Sequence, residues 1–125
     1  VKIYLHGRLG VIKVPRGIIR QDTVLEPDHE LEFYFSYIQI VSDPYDYSSN
    51  EMDPAEEIFP SLLGGKVIDV NDTAVTVRVM DDLGEITVPR RWIITDKKLE
   101  EGDEAEFYFS CMDVTGKRDL PAMFI

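Results

Sequence analysis

The chain has 125 residues and a formal net charge of −11, from 24 acidic and 13 basic side chains. Its 44% hydrophobic and 30% charged residues are the mixture of a soluble globular protein, and no apolar run approaches the ~18–20 residues of a membrane span. The excess of carboxylates works against a polyanion partner, whose phosphates need concentrated Lys and Arg, and a lone cysteine, Cys111, cannot close an internal disulfide, so the expected location is cytoplasmic.

In chain order, Val1, Ile3 and Leu5 alternate with polar or amphipathic neighbours, the period of a half-buried strand rather than of a signal peptide. A short loop, 6–10, leads into a second strand whose inward residues are Ile12 and Val14, and Pro15 ends it. The segment 17–20, with Ile18-Ile19, favours extended chain, with a short helical turn as the alternative. Pro27-Asp28 turns the chain into an aromatic strand in which Leu31, Phe33 and Phe35 point inward, while Glu30, Glu32, Tyr34 and Ser36 point out. Ser42–Glu57 is rich in Asp, Glu, Pro, Ser and Asn and reads as a loop. Gly64-Gly65 marks a break before a strand at 66–70.

From Val75 the pattern starts again. At an offset of 74, Val1–Ile40 aligns with Val75–Val114 without a gap, and 17 of the 40 pairs are identical. The densest matches are Leu9–Arg16 with Leu83–Arg90 and Glu32–Ser36 with Glu106–Ser110. A weaker echo follows each copy, Phe59–Leu63 and Leu120–Phe124, and adds a strand at 121–125. The expected fold is therefore all-β: a tandem repeat of a small SH3-like β-barrel module, with sharing of strands between the copies left open. The expected units are 1–41, an acidic linker with a short strand at 42–64, and 65–125. Copy one has no obvious partner for its leading strand. Either the sequence starts late in the module, the strand at 66–70 belongs to copy one, or copy two lends an edge. A module this small buries only ~60% of its unfolded-chain surface, so the copies should pack together or the chain should self-associate.

Two resemblances rest on these residues. Gly7-Arg8-Leu9-Gly10-Val11-Ile12-Lys13-Val14-Pro15 resembles a stretch shared by small uncharacterised β-barrel proteins of clostridia, which implies a fold and no activity. Asp81-Asp82-Leu83-Gly84-Glu85-Ile86-Thr87-Val88-Pro89, followed by Gly102-Asp103, resembles the AbrB/MazE swapped-hairpin family, which implies a DNA-binding regulator or antitoxin. This chain carries Val11 and Glu85 where that family has arginine, and Ile18-Ile19 and Trp92-Ile93-Ile94 where it has a helix. Helix at 16–25 and 90–99 would favour the regulator, and extended chain there the barrel.

The chemistry of catalysis is thin. His6 and His29 lack ligand spacing, so no metal or other cofactor is expected. The acidic run 43–57 lacks calcium-loop spacing. Ser36 and Ser110 are repeated without a repeated base. The pairs Glu30/Glu32 and Glu104/Glu106 fit cross-strand ion pairing better than acid–base work. The expected class is non-enzymatic. Arg16 and Arg90 are the only repeated basic residues, and Arg20 and Arg91 extend them. They are candidate phosphate contacts, weighed against pairing with nearby carboxylates. Arg16-x-x-x-Arg20 also resembles the arginine motif of cyclic-dinucleotide-binding PilZ domains, but Ile94 breaks it in copy two. Tyr4, Tyr34 and Tyr108 should face solvent and are candidate protein contacts. The expected function is a non-catalytic interaction module that binds a protein partner. The alternative is an AbrB-like regulator built as an intramolecular pseudo-dimer.

Overall fold

In the computed structural model, residues 1–5, 10–21, 24–27, 29–42 and 60–117 are described. The protein is all-β: strands make up 58% of the described residues, and no described helix reaches 7 residues. The strands are β1 (Lys2–Leu5), β2 (Gly10–Lys13), β3 (His29–Glu32), β4 (Ile38–Val41), β5 (Ser61–Val70), β6 (Ala74–Val79), β7 (Gly84–Pro89), β8 (Ile93–Ile94), β9 (Glu104–Phe109) and β10 (Asp113–Lys117). Eight of them form one curled sheet in the order β1-β2-β7-β6-β5-β9-β4-β8, and β10 pairs with β3. Three-residue 3-10 turns follow the strand-ending prolines at Arg16–Ile18 and Arg90–Trp92, and the chain is extended again at Ile19 and Ile93. The stretches that would have been helical in an AbrB-like regulator are thus turn followed by extended chain among the described residues.

The pairing obeys the 74-residue offset. β2 meets β7 antiparallel with Ile12 facing Ile86, the two equivalent residues of the repeat. Phe35 likewise bridges Phe109. A strand crossing its own equivalent at the equivalent residue defines a local two-fold, and these two pairs lie on it. Everything flanking them repeats. Ile3 faces Ile12 as Val77 faces Ile86. Ile38 pairs parallel with Ile93 as Met112 does with Ile19. β4 lies against β9 with Gln39 facing Glu106, as β10 lies against β3 with Asp113 facing Glu32. Strands from both sequence repeats thus meet in the eight-stranded sheet and again where β3 pairs with β10.

The core follows from the alternation. Ile12, Val14, Val75, Val77, Val79, Ile86, Val88, Ala105, Phe107 and Phe109 are all buried. Phe33 packs edge-on to Phe109 at 5.6 Å and Phe35 edge-on to Phe107 at 6.0 Å, equivalent contacts on either side of the two-fold. The repeated serines close this junction. Ser36 Oγ accepts from the Tyr108 amide and Ser110 Oγ from the Tyr34 amide, both at 2.8 Å. Each hydroxyl then donates to the next carbonyl. Their recurrence has a backbone reason that a search for nucleophiles does not find.

Two expectations are corrected. Gly64-Gly65 is not a break: β5 runs through it from Ser61 to Val70, so the expected boundary between 64 and 65 falls inside a strand. The glycine is there for close approach, since a Cβ on Gly65 would lie 2.7 Å from Val77 Cγ1 and 2.8 Å from the Arg78 carbonyl oxygen. The inward set Val1, Ile3 and Leu5 is not buried as its equivalents in β6 are. Val1 is exposed and the other two are part-exposed, because no described strand covers the outer edge of β1. The expected strand at 121–125 and most of the acidic loop lie outside the described residues.

Candidate functional site

Of the arginines, Arg16 donates to the carbonyl oxygens of Ile19 (3.2 Å) and Gln21 (2.6 Å), holding its own turn. Gln21 in turn bonds Asp113 Oδ1 at 2.9 Å and receives the Val114 amide at 2.7 Å. Arg20 pairs with Asp113 at 3.3 Å. This network clamps the 16–21 segment of copy one onto β10 of copy two. Arg90 is exposed and donates to the Asn71 carbonyl at 3.1 Å, and Arg91 is exposed. These contacts tie Arg16 and Arg20 to one cluster and Arg90 to the Asn71 turn. The groups they engage there are carbonyls and a carboxylate, the uses a fold makes of guanidinium groups.

The tyrosines lie outward as the alternation requires: Tyr4 is 71% exposed, Tyr34 53% and Tyr108 49%. Tyr34 and Tyr108 flank one shallow recess with Pro60. Tyr4 stands elsewhere, on β1, with the Lys2 ammonium 5.3 Å from its ring centre. Tyr37, also exposed, stacks on Trp92 at 4.2 Å, and the indole N–H donates to the Ser36 carbonyl. No described contact unites Tyr4, Tyr34 and Arg16.

Beside Tyr4 is a cleft of about 250 Å3 between β1 and the segment leading through β3, with Ile3, Leu5, Leu25, Leu31 and Phe33 among its lining residues. Its lining mixes these apolar side chains with Lys2, Glu26, His29 and Glu30. His29 serves the turn at its end, where Nδ1 accepts the Glu26 amide at 2.9 Å. Asp103, at the same repeat position, accepts the Glu100 amide at 2.8 Å. Asp103 also takes the Lys97 ammonium at 2.7 Å, and that bond, with the Glu100 amide, holds its carboxyl below the usual range and raises Lys97.

A second cleft lies along Gly64–Lys66 and the Met80–Asp82 turn. Two of its cations have acid partners, Lys66 with Glu104 at 3.5 Å and Arg78 with Glu85 at 3.8 Å, which leaves little field for an anion. Among the described residues no group of three His, Cys, Asp or Glu side chains is placed to hold a metal ion, and no helix is long and apolar enough to cross a membrane. Cys111 is buried. The residues that sequence reasoning missed are the apolar lining of the first cleft, Leu25 above all. No family model, no curated protein and no solved structure matches the chain.

Proposed function

We propose that the chain is a non-catalytic interaction module that binds a protein partner. The observation that carries this reading is β1, an edge strand among the described residues, whose Tyr4 is 71% exposed. Edge strands are ready-made templates for another chain, and folds usually cover or blunt them. Exposed tyrosine supplies contact area at low entropic cost. The test is affinity capture followed by mass spectrometry, with the wild-type chain beside a Tyr4→Glu, Tyr34→Glu double variant. Arg16 is left intact because it holds its own turn. A partner that is retained by wild type and lost by the variant, with unfolding midpoints within about 0.5 kcal/mol of each other as expected for surface changes, supports the reading. Equal retention by both would sink it.

The regulator reading draws on one observation, the two-fold exchange of strands between the copies, which is the arrangement an intramolecular pseudo-dimer needs. The net charge of −11 and the engagement of Arg16 and Arg20 within the fold favour protein over DNA. Fluorescence anisotropy of a labelled mixed-sequence duplex should stay flat even at low salt. Binding that collapses as salt rises would mark phosphate contacts and favour the regulator.

A further inference from the structure

The 74-residue offset relates two patches on the protein surface whose residue types differ. In the first, Arg20 pairs with Asp113 at 3.3 Å, and Asp113 on β10 faces Glu32 on β3. In the second, at the same repeat positions, Ile94 on β8 faces Gln39 on β4, which faces Glu106 on β9. The first patch thus holds a guanidinium from its own chain, and at that position the second has an isoleucine that is 49% exposed.

The second patch also carries an aromatic stack that the first lacks. Ile38 and Ile93 are buried, so their neighbours Tyr37 and Gln39, and Trp92 and Ile94, turn to the outer side. Tyr37 is 53% exposed and stacks on Trp92 at 4.2 Å. Two residues along β9 from Glu106, and on the same face, Tyr108 is 49% exposed. The stack is fixed from beneath: the indole N–H donates to the Ser36 carbonyl at 2.9 Å, and the Phe35 ring lies 5.9 Å away. In the first patch the equivalents of Trp92 and Tyr37 are Ile18 and Cys111, each only 5% exposed.

We infer that the second patch takes an arginine side chain of the protein partner, whose guanidinium stacks on the Tyr37–Trp92 pair and forms an ion pair with Glu106. The inference rests on the protein-binding reading and names the chemistry of its contact. Three observations favour arginine. A planar guanidinium stacks on aromatic faces in a way that an ammonium does not, and the rings are held in place to receive it. The net charge of −11 draws a cationic segment and repels an acidic one. The first patch already keeps a guanidinium, that of Arg20, in the equivalent place beside Asp113. There the charge comes from the chain itself, and in the second patch it comes from the partner.

Trp92 is the single tryptophan of the chain, so its emission reports on the patch directly. The probe is a capped Gly-Arg-Gly-Arg-Gly peptide, titrated into the chain at low salt beside its lysine and citrulline versions. Anisotropy of the labelled peptides gives a second readout. The expected result is a saturable change in Trp92 emission with the arginine peptide, weaker binding of the lysine peptide and the weakest of the uncharged citrulline one. Tyr37→Ala should weaken binding roughly fivefold, the scale of an exposed cation–π contact, while Tyr37→Phe, which keeps the ring, should bind nearly as wild type. Glu106→Gln should weaken it roughly threefold, the scale of an exposed ion pair. No saturation at millimolar peptide overturns the inference. So does a citrulline peptide that binds as tightly, which marks stacking without charge. Equal affinity of the lysine peptide overturns it too, as does a Tyr37→Ala variant that binds as wild type, which marks general attraction to an acidic chain. If the peptide fails while the chain still captures a partner that the double glutamate variant loses, the arginine contact alone falls. If capture fails, the protein-binding reading falls with it.

Discussion

Replacing Gly84 with alanine should cost about 3 kcal/mol or more of folding stability, and Gly10→Ala should cost nearly the same. Both glycines sit at the start of the strands that cross at the two-fold, with φ of +116° and +115°. A side chain strains that conformation by itself. Steric overlap adds more: a Cβ on Gly84 would run into the carbonyl oxygen of Lys13, and one on Gly10 into that of Thr87. Those carbonyls belong to the facing strand, so relief requires opening the β2–β7 ladder that joins the copies. Urea unfolding at pH 7 measures the cost. A loss below about 1 kcal/mol at either position, within the range of ordinary substitutions, would mean that the strands do not approach as described. A large difference between the two would break the two-fold relation.

The second large effect is an asymmetry. Phe107→Ala should cost about 3–5 kcal/mol, the range for deleting a buried aromatic side chain, because Phe107 is 1% exposed and packs on Phe35 and Phe109. Phe33→Ala, the same residue at the same repeat position, should cost less than about half of that, since the apolar surface it hides from water is smaller. Phe33 keeps its edge contact with Phe109 at 5.6 Å but lines the open cleft. Equal losses in the same unfolding assay would mean that the first copy is as closed as the second, and the cleft would lose its meaning.

Much of this architecture was readable from the residues. The alternation of Ile12 and Val14, of Val75, Val77 and Val79, and of Phe107 and Phe109 specified strands and the side each buries, and all of them are buried. The outward placement of Tyr4, Tyr34 and Tyr108 came from the same period. What alternation does not encode is the choice of neighbour. Nothing local to Ile12 says that it will face Ile86 rather than a strand of its own copy, because either pairing buries the same face. Gly64-Gly65 misled for a related reason: the pair looks like a turn until β6 is placed against it. Arg16 looked like a repeated binding residue because the Ile19 and Gln21 carbonyls it engages are backbone groups that no side-chain motif announces. His29 and Asp103 stand at the same repeat position and differ in type, yet each accepts the amide three residues before it.

Among the described residues β1 is an edge strand, whereas its repeat equivalent β6 lies between β7 and β5. Amide hydrogen exchange of the free chain reads it directly, since Lys2 and Tyr4 occupy the positions of Thr76 and Arg78 in the repeat. The amides of Thr76 and Arg78, bonded toward β5, should be protected at least about a hundredfold more than those of Lys2 and Tyr4, which face the cleft. Equal protection at the two pairs would contradict the edge position of β1.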